Sequence, residues 1–368
     1  MPIAGHATTE GTIRYATKHS EAVEGHFRRA GELTLSSIGI GTYLGEADEP
    51  TDRAYAETVA AAVRGGLNVI DTAVNYRFQR SERSVGGALA ALGEEEVGRD
   101  EIVLCTKGGY VPFDGAPPAS REDLVRYIQE TFVVPGIASL DDFVQLSHCL
   151  APPYLMNQLE TSLRNLGVEC VDVYYLHNPE TQRPVVGPDA FLERIRDAFA
   201  FLELAVGAGR IRAYGLATWN GFRRPPEAPD HLDLPALAGV AEAVGGPGHH
   251  FRWVQLPVNL ALTEAHLARN QGDGATLLET ARALGINVAA SASLLQARLA
   301  HDLPQPVSDV FPDLSTDALR SLQFARSVPG VTTALVGMSD PDHLRENLEL
   351  IRVPPAGPEA IDRLFEGT

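Results

Sequence analysis

Lysine is almost missing from this 368-residue chain: of its 30 basic residues, only Lys18 and Lys107 are lysines. Cysteine is scarce too. Cys105, Cys149 and Cys170 are odd in number and form no CxxC pair, which argues against a disulfide framework or a thiolate metal site and makes a reducing cytoplasm the default expectation. Positive charge is outweighed, with a formal net charge of -18 and a pI near 5.0, so a general nucleic-acid or anionic-membrane surface is not expected. No apolar run reaches membrane-spanning length; the stretch 254–262 is broken by Pro257 and Asn259. Residues 1–30 contain Glu10, Arg14, Lys18, Glu21 and Arg28, which leaves no apolar core for a signal peptide. HExxH, Walker-type and paired-carboxylate metal motifs are absent, so no metal is expected. The oligomeric state is not legible.

What is present is a repeating alternation. Eight short apolar runs, 38–42, 68–73, 102–107, 171–177, 211–218, 253–259, 286–292 and 333–338, do not alternate polar with apolar residues and read as strands buried on both faces. Between them lie helix-period segments at 55–64, 82–92, 154–166, 188–206, 275–284 and 316–327, several followed by glycine (Gly65, Gly66, Gly93, Gly167, Gly207, Gly285) where a helix end takes positive φ. The pattern predicts an α/β fold, a single (β/α)8 TIM barrel over residues 1–368. A doubly wound sheet is the competing architecture. Its fingerprint is poorly met, because Gly39-Ile40-Gly41-Thr42 lacks the third glycine and lies within a strand. Residues 1–35 form an N-terminal extension, expected to be a hairpin closing the opposite end of the barrel. Long loops follow the third, fifth and seventh barrel strands, at 110–153, 222–232 and 304–314. The first is an insertion beside the site, a candidate lid or pocket wall.

Active sites of such barrels lie at the C-terminal strand ends. There the chain places Asp71 and, shortly after, Tyr76; then Lys107; then His177. Each alone has a plain reading, as a turn former, a packed ring, a strand-end cation or a core imidazole. Together they are chemically coherent, since a buried acid and amine cost several kcal/mol, on the order of what pairing restores. Lys107, held as ammonium by Asp71, would lower the Tyr76 pKa; Tyr76 would give a proton to a carbonyl oxygen, and His177 would orient that oxygen. No nucleophile is needed, so a hydride donor is implied. A Schiff-base role for Lys107 is a weaker alternative.

The motifs Gly39-Ile40-Gly41-Thr42, Asp71-Thr72-Ala73 with Asn75-Tyr76, Thr106-Lys107, the stretch from Leu163-Arg164-Asn165-Leu166-Gly167 to Asp172–His177, and Arg345-Glu346-Asn347-Leu348 resemble the aldo-keto reductase family in order and spacing, from about residue 33 to 350. The resemblance implies reduction of an aldehyde or ketone by NAD(P)H, with NADP(H) favoured and NAD(H) as the alternative, and a tetrad of Asp71, Tyr76, Lys107 and His177. It implies cofactor contacts from Gly41, Thr42, Gln255, Ser291, Gly337, Met338, Ser339, His343, Glu346 and Asn347, with Thr218 or Asn220 replacing the usual Ser-Asn after the fifth barrel strand. The stacking tyrosine usual on the seventh is missing from Ala289–Leu294, and His343 stands where an arginine is common. Tyr43, His148, Tyr154, Trp219 and the segment 294–298 are expected to line the pocket for a small-molecule carbonyl substrate. A nucleotide-binding regulatory subunit on the same fold is the alternative function.

Overall fold

The computed structural model describes residues 1–93, 96–272 and 274–365. Its centre is a closed barrel of eight parallel strands: β3 (Ile38–Gly41), β4 (Val69–Asp71), β5 (Val103–Gly108), β6 (Val171–His177), β7 (Ile211–Ala217), β8 (Phe251–Pro257), β9 (Asn287–Ser291) and β10 (Thr333–Gly337), with β10 closing onto β3. All eight apolar runs read from the sequence form these strands. An antiparallel hairpin, β1 (Phe27–Ala30) and β2 (Leu33–Ser36), precedes them.

Side chains alternate across each strand, and this alternation positions the site. Val69, Val103, Cys105, Val173, Tyr175, Ala217, Trp253, Ala289 and Leu335 fill the barrel interior, while Ile70, Leu104, Tyr174, Leu176 and Val254 pack outward in the main core. Two residues beyond an interior residue the chain again faces the barrel axis. Val69 therefore leads to Asp71, Cys105 to Lys107, Tyr175 to His177 and Trp253 to Gln255. Ala7, Ala30 and Leu35 join the interior cluster from the other end. Asn68 ties the hairpin to the barrel, accepting from Ser36 N at 2.8 Å and donating to Thr34 O at 2.9 Å.

Several local readings are corrected. Residues 1–35 contain a helix, Thr9–Lys18, ahead of the hairpin; Thr8 caps it by accepting from Gly11 N. Gly207 lies inside the helix Pro188–Gly207, and positive φ falls at Gly209 instead. The helix Leu234–Gly245 has no counterpart among the segments read from sequence, because its alanines, glycines and valines carry almost no polar face to set a period; Asp233 starts it by accepting from Ala236 N. The insertion after β5 carries its own helix, Arg121–Ile128, and a small core of Val111, Ile128, Phe132, Phe143, Cys149 and Tyr154. Among the described residues no helix is long and apolar enough to cross a membrane.

Two buried histidines make stability depend on pH. Burial lowers the pKa of His26 and of His148 from 6.5 to about 4, so both are neutral in the folded protein across the neutral range. Between pH 6.5 and about 4 the unfolded chain binds protons at these rings that the native state does not. Their contribution is thus constant above that window and falls as pH drops through it, by about 3 kcal/mol per ring at the acid limit. Urea unfolding across the window will show the loss, with a shallower pH slope in His26→Gln.

Candidate active site

Lys107 is fully buried at the barrel axis, with Nζ 2.5 Å from Asp71 Oδ2 and 2.9 Å from Thr72 O. The other Asp71 oxygen accepts from Gln255 Nε2 at 2.8 Å. Burial alone would lower the Lys107 pKa. The carboxylate of Asp71 and the phenol of Tyr76 outweigh it, and the net shift is upward, so the group stays an ammonium.

Tyr76 begins a turn outside β4, with Lys107 Nζ 4.8 Å from its ring centre. The expected lowering of its pKa is corrected. Lys107 does pull the value down, but burial is the larger effect and leaves it raised, so the phenol keeps its proton. The turn is strained, since Arg77, Phe78 and Gln79 all have positive φ (48°, 57°, 70°), a conformation costing roughly 1–2 kcal/mol per non-glycine residue. Arg77 anchors it, donating from Nε to Glu46 O at 2.8 Å and pairing with Asp52 at 2.5 Å. Nothing in the sequence pattern marked Arg77.

His177 sits opposite. Burial, and then the nearby Lys107 charge, push its pKa well below 6.5, so the imidazole is neutral. Five rings run in series through the site, each edge-on to the next: Tyr43 to Tyr76 (5.0 Å), Tyr76 to His177 (5.6 Å), His177 to Tyr110 (5.1 Å) and Tyr110 to His148 (5.0 Å). Tyr110, the first residue of the insertion, was not among the expected site residues.

Beside these groups runs a cavity of about 860 Å³ reaching the helix Pro341–Leu348. Asp71, Tyr76 and His177 line it with the expected Gly41, Thr42, Tyr43, Thr218, Trp219, Gln255, Ser291, Gly337, Ser339, His343, Glu346 and Asn347. Lys107 lies behind the wall, and four further expected residues lie elsewhere. Met338 is buried in the core, because strand alternation beside Gly337 turns it away from the cavity. Asn220 lies in an adjoining cleft, its backbone N–H held by Glu180. Tyr154 is buried in the core of the insertion, where its hydroxyl donates to Tyr110 O at 3.0 Å. His148 is buried behind Tyr110, with Gln182 Nε2 3.0 Å from its Nδ1 and its own Nε2 2.7 Å from His177 O. Donation from Gln182 leaves the proton on Nε2, so His148 donates to His177.

A nicotinamide dinucleotide fits this space. Thr218 Oγ1, on the barrel rim, and Asn347 Oδ1, on the helix Pro341–Leu348, are buried without partners, at positions suited to the amide and adenine ends. Towards that helix, His343 is the basic side chain in the wall. Asp340 caps the helix by accepting from Asp342 N, and Arg345 pairs with Asp342 on the exposed face. A 2′-phosphate would rest on Ser339, His343 and backbone N–H groups rather than on a permanent cation.

The insertion thus braces the end of β6 through His148. His148→Phe keeps a ring but loses the bond to His177; turnover with a reactive aldehyde is expected to fall about tenfold or more, with dinucleotide affinity unchanged, and His148→Gln to recover part of it. Steady-state rates beside dinucleotide titrations check this.

A model described as the aldo/keto reductase family matches residues 37–241. The NADH-specific methylglyoxal reductase of Escherichia coli is 30% identical over 191 residues, 50% of this chain and 49% of that protein. The chain therefore spans about half the length of that relative. A putative voltage-gated potassium channel subunit beta of Schizosaccharomyces pombe is 22% identical, with 95% of each chain covered. The solved structure of a Klebsiella pneumoniae aldo/keto reductase with NADP and acetate shares the fold at a TM-score of 0.62 and 21% identity, covering 93% of this chain and 94% of that one. Matched by the family model over more than half its length, the chain belongs to the aldo/keto reductase family.

Proposed function

We propose that the protein reduces an aldehyde or ketone to an alcohol with NAD(P)H, Tyr76 acting as the acid. The observation that carries this reading is the meeting of a protonated phenol and a neutral imidazole on one cavity wall, with a paired ammonium buried beside the phenol ring. When bound, the dihydronicotinamide supplies a hydride. Tyr76 and His177 donate hydrogen bonds to the carbonyl oxygen and stabilise the charge that develops there. Tyr76 then delivers its proton to that oxygen. Lys107 favours the resulting phenolate by its charge, and Asp71 with Gln255 keeps the ammonium in place. Neutrality matters for His177, because an imidazolium beside Lys107 would add a second buried cation.

The adenosine end would be held by Ser339, His343, Glu346 and Asn347, and the amide end by Thr218 and Gln255. The relative in Escherichia coli named for methylglyoxal makes small reactive carbonyls the first substrates to try. The potassium-channel relative keeps a regulatory reading in view. A binding subunit has no need of all four groups, Asp71, Tyr76, Lys107 and His177, gathered in contact, so reduction is preferred.

Tyr76→Phe removes the proton and leaves the cavity. Turnover is expected to fall by about 10²–10⁴-fold while dinucleotide affinity stays within a few-fold. Absorbance at the dihydronicotinamide band, paired with fluorescence titration of both dinucleotides, separates the two effects. Undiminished turnover in the variant would remove Tyr76 from its role; dinucleotide binding with inertness across reactive carbonyls would favour the regulatory reading.

A further inference from the structure

Beyond Tyr110 lies a second cleft of about 520 Å³, between the turn after β6 and the proline-rich stretch after β7. Tyr110, Asn178 and Trp219 line both spaces, so a molecule whose carbonyl sits at Tyr76 and His177 can extend past them into the cleft. This volume lies in the range of small-molecule sites, about 300–1,000 Å³.

Its chemistry differs from that of the main cavity. Glu180 is only 3% exposed; Oε1 accepts the backbone N–H of Trp219 at 2.8 Å, Asn220 at 3.0 Å and Gly221 at 3.4 Å, while Oε2 is buried with no partner. A buried oxygen left unsatisfied costs about 1–3 kcal/mol, so this wall favours a ligand that brings a donor. The Asn220 side chain, among the described residues, makes no hydrogen bond within the protein, and the exposed Trp219 ring offers an apolar face. At the outer edge Arg224 stands 3.5 Å from Asp230. Two carboxyl groups against one cation already paired, in a chain of net charge -18, disfavour an anionic ligand.

We propose that this cleft is the subsite for the part of the substrate remote from its carbonyl, and that it takes a neutral, hydroxyl-rich group such as a sugar ring. The hydroxyls meet Glu180 and Asn220, and the C–H face lies on Trp219. The proposal rests on the reading of the neighbouring site as a carbonyl reductase, and it narrows the substrate class to carbonyl compounds bearing a polyol or glycoside.

Two variants at the edge of the cleft test it. Pro184→Trp fills the cleft from its exposed side, and Asp230→Leu removes polarity; thermal melting of each confirms folding. With a glycosylated ketone, KM is expected to rise at least tenfold in both, while kcat/KM for methylglyoxal stays within about twofold. Unchanged KM for the glycosylated ketone in both variants would overturn the subsite. A parallel measurement does not depend on turnover: saturation-transfer NMR of the dinucleotide-loaded protein with methyl glucoside, methyl glucuronoside and cyclohexanol. Methyl glucoside is expected to bind best and to lose its signal in Pro184→Trp. Equal signals in wild type and both variants, or preference for the glucuronoside or cyclohexanol, would overturn the proposal. Absence of turnover with every carbonyl, alongside cleft-dependent glucoside binding, would refute reduction and leave the cleft as a polyol site.

Discussion

The buried ion pair between Lys107 and Asp71 is the constraint around which the site is arranged. A lone ammonium at the barrel axis would lose its proton or cost several kcal/mol, on the order of what a well-formed pair recovers. Asp71 supplies the opposite charge, Thr72 O accepts a second hydrogen bond, and Gln255 occupies the remaining carboxylate oxygen. In a chain that writes nearly every other cation as arginine, the compact amine fits a place where a planar guanidinium would not. The charge then sets its neighbours. It suppresses protonation of His177 and offsets part of the burial cost of a Tyr76 phenolate.

Around that pair the site is built for fixed geometry. The strand register sets three of its groups to within one alternation of the barrel interior, and Tyr76 is the exception because it stands on a turn. That turn is where strain is stored, in three successive left-handed residues held by Arg77 against Glu46 and Asp52. A second left-handed run, Leu295 to Ala297, contributes Gln296 and Ala297 to the lining of the same cavity. Strain kept in two segments facing one cavity fits a rigid scaffold holding a preformed space. His148 adds a brace from the insertion, so the segment that gives Tyr110 to the pocket wall also supports β6 from behind through a ring that lines neither space.

The strands and the polar groups at their ends, Asp71, Lys107 and His177, were legible in the sequence because they obey local rules. A parallel strand buried on both faces shows as a continuous apolar run, and a polar residue ending such a run stands out without any tertiary knowledge. His148 and Tyr154 were misplaced for the converse reason. Which way each ring faces depends on tertiary partners: Phe132 and Phe143 pack on Tyr154, and Gln182 and the His177 carbonyl hold His148. Asn220 was misplaced by one turn of backbone, since the carboxylate of Glu180 draws three successive N–H groups towards itself. The Tyr76 pKa was misjudged because charge proximity is readable from spacing, whereas the degree of burial is not.

This division between strand and loop also separates reaction from selectivity. The groups assigned to the reaction belong to β4, β5 and β6 or adjoin them, and stand on or beside the buried pair of Lys107 and Asp71. The walls proposed to meet the remainder of a substrate sit on loops, for Trp219 and Asp230, and on the short helix Arg183–Val186, for Pro184, outside the barrel's strand pairing. They can change polarity at little cost to the ion pair behind them. Tyr110, Asn178 and Trp219 line both spaces, the first two joined by a bond of 3.2 Å from Asn178 Nδ2 to the Tyr110 hydroxyl. Ring contact with His177 on one side and the cleft on the other make Tyr110 the residue that links the cleft to the imidazole on which the proposed reaction depends.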